Sequence, residues 1–294
     1  MKQLNHFIMN KEIFIFTIAY NCGVILKKCL DSYHKYHDKP IHIFGKKEDF
    51  NGLTEHKNNV FIDLSDDIIL AQYYTHGHIG TAYIWAKVIK KEYGDYDKII
   101  QIDSDVIFLD ECLSDITNKL DLGYDLVGPR RSYITMPNYN DVVSTYFIGV
   151  NINKISDFEF KILHKMAAGH YNPLGHKVID FFDPISFNII SNGGLMHILD
   201  FKEYGSSDEN NNFDNGCLEM NTLYDCGSKI LHFAGIGSGM NFYKNGSVDV
   251  PITYVNWAKK RYSLYMKLFY DEDIDVYFDE KDYILTKNYL NEKY

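Results

Sequence analysis

Residues 98–102 read KIIQI, a continuous apolar stretch that runs directly into two carboxylates, Asp103 and Asp105. A strand that lacks hydrophobic–polar alternation fits inside a sheet covered on both faces, as in parallel α/β sheets. The flanking sequence agrees. IFIFTIAY (13–20) reads as a first strand, and residues 24–36 place Val24, Leu26, Leu30 and Tyr33 on one helical side. PIHIFG (40–45) and NVFIDL (59–64) read as short strands, and residues 80–94 as a helix stopped by Gly94. This β-α-β-β-α-β order predicts an α/β fold with a mixed, mostly parallel sheet flanked by helices.

Ligands of such sheets bind beyond the carboxyl ends of the strands. Asp103 and Asp105 stand at such an end. In extended backbone, positions i and i+2 project to the same side, so both acids can offer oxygens to one ion. Hard carboxylate oxygens suit Mg²⁺ or Mn²⁺. The bland alternative is a solvated turn with Ser104 as an ordinary turn residue. Apolar segments on both sides, KIIQI before and VIFL after, argue for the ion, because an unpaired buried carboxylate is costly.

Composition narrows the function. The 294 residues are 46% hydrophobic and carry a net charge of −10, enough for one large core and ill suited to a nucleic-acid partner. Five scattered cysteines without a C-x-x-C pair fit a reducing compartment. The early apolar run is too short to span a membrane. It follows Lys11 and Glu12 and lacks a cleavage site, so a cytoplasmic location is expected.

The second half is less regular. STYFIGVNIN (144–153) reads as a strand, residues 154–169 as a helix ending at Gly169, and 206–216 as a polar loop. SKILHFAGIGSG (228–239) reads as a strand running into a glycine-rich turn. Residues 250–270 read as a helix, and an acidic tail starts at Asp271. The expected division is 1–249 as the main domain and 250–294 as a helical appendage with its tail.

Four segments together resemble the nucleotide-sugar glycosyltransferases of the GT-A fold, family 8 in particular. DSD (103–105) is similar to their D-x-D, and YFIGVNINK (146–154) to their F-N-x-G-V strand. DPISFNII (183–190) resembles their D-Q-x-x-x-N segment, and ILHFAG (230–235) their H-x-x-G motif. The resemblance implies a metal-dependent transfer from a nucleoside-diphosphate sugar, UDP-linked by preference, to a hydroxyl on a glycan, protein or small molecule, with retention. It implies Asp103, Asp105 and His232 as ligands of Mn²⁺ (or Mg²⁺), and Asp183 and Asn188 at the reacting sugar. Thr17, Ala19 and Tyr20 would hold the nucleoside, with Ser104 and the backbone of Gly235 and Gly237 contributing to the donor site.

The sequence departs from that pattern at Pro184, at Phe147 and at 236–239, where the family's phosphate-binding lysine is absent. Backbone N–H groups of Gly235, Gly237 and Gly239, or Lys244, are the substitutes available. An inverting enzyme would also need a base, for which Asp208, Glu209 and Asp214 are candidates. DSDVIF also resembles the D-x-D-x-[TV] motif of haloacid-dehalogenase-type phosphatases, although that motif opens its domain and gives His232 no role. A non-catalytic nucleotide-sugar-binding protein is the other alternative. His76 and His78 are expected as turn residues and Lys87 as a solvated helix lysine. The stripe Tyr254, Trp257, Leu264, Tyr265, Leu268 reads as core packing and leaves a peripheral membrane contact open. Oligomeric state is not encoded legibly.

Overall fold

A computed structural model describes residues 12–19, 22–53, 55–68, 70, 77–129, 143–155, 182–199, 202–204, 223–225, 229–245, 252–274, 278 and 280–293. In chain order the first elements are β1 (Glu12–Ile18), α1 (Gly23–Tyr36), β2 (Ile41–Gly45), β3 (Asn59–Asp63), α2 (Gly77–Ile89), β4 (Tyr96–Ile102) and β5 (Val106–Phe108). They are followed by α3 (Leu113–Asp121), β6 (Leu126–Pro129), β7 (Phe147–Asn151), α4 (Asp183–Ser191) and β8 (Met196–Leu199). Then come β9 (Lys202–Tyr204), β10 (Leu223–Asp225), β11 (Ile230–His232), α5 (Ile236–Asn245), α6 (Ile252–Tyr270) and α7 (Glu280–Lys293).

Among the described residues the strands form two sheets, one in the order β3-β2-β1-β4-β7-β6-β8 and one in the order β5-β11-β10-β9. The larger is mixed and mostly parallel, with only β7 antiparallel to its two neighbours. Strand β4 sits at its middle and is covered on both sides, as its uninterrupted apolar sequence predicts. Ile100 and Ile102 face α1 and α3 beside Ile25, Leu26, Leu30 and Ile116. Ile99 faces the opposite layer with Phe14, Phe16, Trp85 and Ile189. Each such fully buried side chain contributes about 1.5–3 kcal/mol of transfer free energy. Helix α3 lies so close to β7 that a Cβ on Gly149 would collide with the Ile116 side chain, so that strand position tolerates no side chain.

The sheet order also fixes where a ligand can enter. From β1 the chain goes through α1 to β2 on one side, while β4 pairs on the other side of β1. The carboxyl ends of β1 and β4 therefore flank a topological switch point, where the helices diverge and leave a crevice.

Two expectations need correction. The glycine-rich turn after His232 is the start of helix α5, because Ile236 and Met240, four positions apart, are both buried. The acidic tail contains helix α7, which buries Thr286, Tyr289 and Leu290 on one side. Helix α6 is tied to the body of the fold. Tyr265 Oη donates to the Ile25 carbonyl at 3.2 Å, and Tyr270 Oη donates to that of Val24. Of its stripe, Leu264 and Tyr265 are buried, Tyr265 packs edge-on against Phe233, and Trp257 and Leu268 are partly buried, while the side chain of Tyr254 lies outside the described residues. The helix expected over 154–169 and the loop over 206–216 lie outside the described residues. Among the described residues, no helix is long and apolar enough to cross a membrane.

Candidate metal centre

The chain leaves the large sheet at Ile102 and joins the small sheet at Val106, so Asp103-Ser104-Asp105 is the turn between the two. Its backbone is pinned on both sides. The Asp103 N–H donates to the Tyr146 carbonyl at 2.9 Å, extending the β4–β7 ladder by one step. The Asp105 carbonyl accepts from the Phe233 N–H at 2.9 Å, doing the same for β5 and β11. In that ladder His232 stands opposite Val106. Strand pairing thus closes a gap of more than a hundred residues and brings the imidazole to the acids.

Asp103, Asp105 and His232 each offer a ligand atom, and these atoms lie within 4.8 Å of one another. His232 Nε2 is 3.3 Å from Asp105 Oδ1. Ligands about 2.0–2.2 Å from one cation stand about 3 Å apart when adjacent and about 4.4 Å when opposite, so the cluster has the dimensions of a coordination site. Two carboxylates and one imidazole form a donor set for a divalent ion of the Mn²⁺ or Mg²⁺ kind. His232 is buried and its ring stacks on Tyr146, with centroids 4.1 Å apart and planes at 21°. The two acids are half-buried, which leaves the cluster open on one side.

A side chain missed in the sequence fixes one of those acids. Gln101 is buried in β4, two positions before Asp103 and therefore on its face of the strand. Its Nε2 donates to Asp103 Oδ1 at 2.8 Å and to the Thr145 carbonyl at 3.3 Å. Its Oε1 accepts from the indole N–H of the fully buried Trp85. The signal was present, since an amide in an otherwise apolar strand must find partners.

Of the remaining expected residues, those described lie at the carboxyl end of β1, in the turn after β4 and in the segment after β11. Thr17 is fully buried at the carboxyl end of β1, and its Oγ1 has no hydrogen-bond partner among the described residues. Ala19 is fully buried with its N–H on the Phe44 carbonyl, and Tyr20 lies outside the described residues. Ser104 is half-buried, and the nearby Cys22 thiol donates to the Ile18 carbonyl while burial pushes its pKa up to about 12. Gly235 has φ +80° and any Cβ there would run into the Trp257 ring, so packing explains this glycine. Gly237 and Gly239 lie in α5, and a Cβ on Gly237 would meet open space. Lys244 is exposed near the far end of α5, about 12 Å along its axis from the start.

Asp183 and Asn188 fall on α4, but their side chains lie outside the described residues, as do Asp208, Glu209, Asp214, His76 and the side chain of His78. Lys87 is not a free solvated lysine. It pairs with Glu92 at 3.0 Å and Asp67 at 3.4 Å, which engages its charge locally. Cys22, Cys29 and Cys112 are buried and form no disulfide among the described residues.

No family model matches the chain, and no curated protein matches its sequence. Solved structures with some likeness include mouse xyloside xylosyltransferase 1 in its apo form, at 11% identity and a TM-score of 0.43, over 64% of this chain and 85% of that one. The galactosyltransferase LgtC, solved with donor and acceptor sugar analogues, gives 14% and 0.38 over 63% and 72%. A 4-diphosphocytidyl-2C-methyl-D-erythritol synthase from Anaerococcus prevotii gives 14% and 0.42 over 64% and 86%. Likenesses at these scores establish neither a family nor an activity.

Proposed function

We propose that this chain is a metal-dependent glycosyltransferase that moves a sugar from a nucleoside-diphosphate donor, UDP-linked by preference, to a hydroxyl acceptor. The observation that carries this reading is the convergence of Asp103, Asp105 and His232 at the carboxyl end of β4, beside the switch point. The order of the four motif-like segments supports it. The phosphatase alternative leaves His232 idle and expects its aspartates on the first strand of the domain, whereas three strands precede β4 here.

Breaking the bond to the donor sugar leaves a diphosphate whose negative charge grows in the transition state. A divalent cation, when bound, supplies positive charge where that negative charge develops. One unit of charge pairing at about 4 Å and an effective dielectric near 20 is worth about 4 kcal/mol, or about 10³ in rate if confined to the transition state. In this reading Asp103 and Asp105 hold the cation from the turn and His232 holds it from β11. The Ile236 N–H is taken by the Phe233 carbonyl, so the N–H groups of Gly237 and Gly239 in α5, which begins four residues after His232, would be the ones to meet the phosphates. The resemblance assigns the nucleoside to Thr17, Ala19 and Tyr20, of which Thr17 and Ala19 are fully buried at the carboxyl end of β1. Asp183 and Asn188 orient the sugar from α4, and retention asks for no base on the acceptor side. Residues 1–249 form the transferase unit, and 250–294 add the helices α6 and α7; the compartment proposed is the cytoplasm.

The test is a thermal-shift and calorimetric screen of nucleotide sugars with and without Mn²⁺. Stabilisation by one donor that requires the metal and disappears in Asp105→Ala supports the proposal. A chain that ignores every nucleotide sugar, or that hydrolyses phosphomonoesters through a phosphoryl group trapped on Asp103, refutes it.

A further inference from the structure

The reading above leaves Gln101 and Trp85 without a function, yet both are buried beside one of the acids. Gln101 can face Asp103 with either end of its amide. The indole N–H is a donor only, so it selects the amide oxygen and turns the amide nitrogen the other way. Both N–H bonds of that nitrogen are then used, one on Asp103 Oδ1 and one on the Thr145 carbonyl. The neighbouring Tyr146 carbonyl accepts the Asp103 N–H, and the Tyr146 ring lies flat on His232. The strand that holds the acid and the ring that braces the imidazole are thereby joined.

We propose that Trp85 and Gln101 form a two-step positioning relay that grips Asp103 Oδ1 and fixes the orientation in which its carboxylate meets a divalent cation. This rests on the reading that Asp103, Asp105 and His232 hold such an ion. A carboxylate free to rotate can swing between one-oxygen and two-oxygen coordination, whereas one gripped by a buried amide is held in a single orientation, although the gripped oxygen keeps a second lone pair for an ion. Hydrogen bonds to a charged partner are among the stronger ones in proteins. Partners of this outer kind typically change metal affinity by about 10–100-fold when removed.

The relay predicts a dependence that packing alone does not. Trp85 acts on the ion only through Gln101, so its contribution should vanish once Gln101 is gone. The experiment is a Mn²⁺ titration of the full chain followed by electron paramagnetic resonance. It compares wild type with Gln101→Met, Trp85→Phe, the double variant and Asp105→Ala, and circular dichroism confirms that each is folded.

Gln101→Met is expected to weaken Mn²⁺ binding by about 10-fold or more and to change the spectrum of the bound ion. Trp85→Phe should weaken binding by a smaller factor, and the double variant should bind no more weakly than Gln101→Met alone. Should Gln101→Met not fold, Gln101→Glu keeps an acceptor for the indole and removes the donor to Asp103, and a changed bound-ion spectrum is again expected. Wild-type affinity and spectrum in the Gln101 variants, or strictly additive effects, overturn the relay. In that case loss of binding in Asp105→Ala still upholds the metal site. If the wild-type chain binds no Mn²⁺, relay and metal site fall together.

Discussion

Two histidines sit at opposite ends of the three-residue strand β5, and each has an acidic and an aromatic neighbour. At the amino end His232 lies 3.3 Å from Asp105 and flat on Tyr146. At the carboxyl end His37 lies 3.7 Å from Glu111 and 3.8 Å from the Cys112 sulfur, between the rings of Phe108 and Tyr33. The inventories look alike, but the physics differs. At the His232 end a second carboxylate converges on the same point, and the turn that carries both acids is open on one side. At the His37 end Glu111 is nearly half-exposed and turns to the Ser114 N–H and hydroxyl, while apolar walls close over the ring. Burial therefore dominates, and it depresses the His37 pKa to about 4. A histidine beside an acid is thus not by itself a site; converging charge with an opening is what separates the two ends.

The largest expected effect breaks the His232 end directly. Asp105→Ala should abolish Mn²⁺-dependent stabilisation and lower transfer by about 10³-fold, the worth of one unit of charge pairing at this distance. His37→Gln should leave both unchanged, and a comparable loss there would erase the contrast. Next in size is Gly235→Ala, three residues beyond His232. It forces a left-handed residue to carry a Cβ and drives that Cβ into Trp257, so a loss of about 2–4 kcal/mol in urea denaturation is expected. In a Trp257→Ala background the same substitution should cost less, since the collision then disappears while the strain of the positive φ remains.

Legibility in the sequence follows the same divide. The carboxylate arm could be read because β1, β2 and β4 announce themselves as apolar runs and the acids follow without a gap. The imidazole arm needed the family resemblance, since no local pattern ties Ile230–His232 to Val106–Phe108 across more than a hundred residues. Strands β8, β9 and β10 are three or four residues long, too short for any period to emerge. Helix α5 was hidden by Gly237 and Gly239, although Ile236 and Met240 carried its spacing. Helix α7 was hidden because EKDYILTKNYLNEK buries so few of its residues that polar composition masks the stripe. Gln101 was overlooked because its neighbours are so apolar that the strand read as uniform.

A smaller effect sharpens the comparison from inside the cluster. His232→Gln keeps a polar group near the turn but removes the imidazole, leaving two carboxylates. Mn²⁺ affinity is expected to fall by about tenfold, and preference among metals to shift toward Mg²⁺, which binds oxygen donors and retains waters. Isothermal titration with both ions checks this. An unchanged ratio of Mn²⁺ to Mg²⁺ affinity would place the imidazole outside the coordination sphere.

The smallest effect belongs to the His37 end and appears only on acidification. In the unfolded chain this imidazole takes up its proton near pH 6.5, whereas burial in the fold keeps it neutral down to about pH 4. Between those values the unfolded state binds more protons, so stability is complete above about pH 6.5 and declines as the pH falls toward 4. With Glu111 half-exposed and screened, the loss attributable to His37 is about 1–3 kcal/mol by pH 4. His34 and His42 are also depressed by burial and form a background common to wild type and variant. Urea midpoints at pH 7.5 and 4.5 for wild type and His37→Gln isolate the difference, and the variant should lose less stability on acidification. Equal losses would show that the proton reaches His37 inside the fold and that its aromatic pocket is not closed to charge.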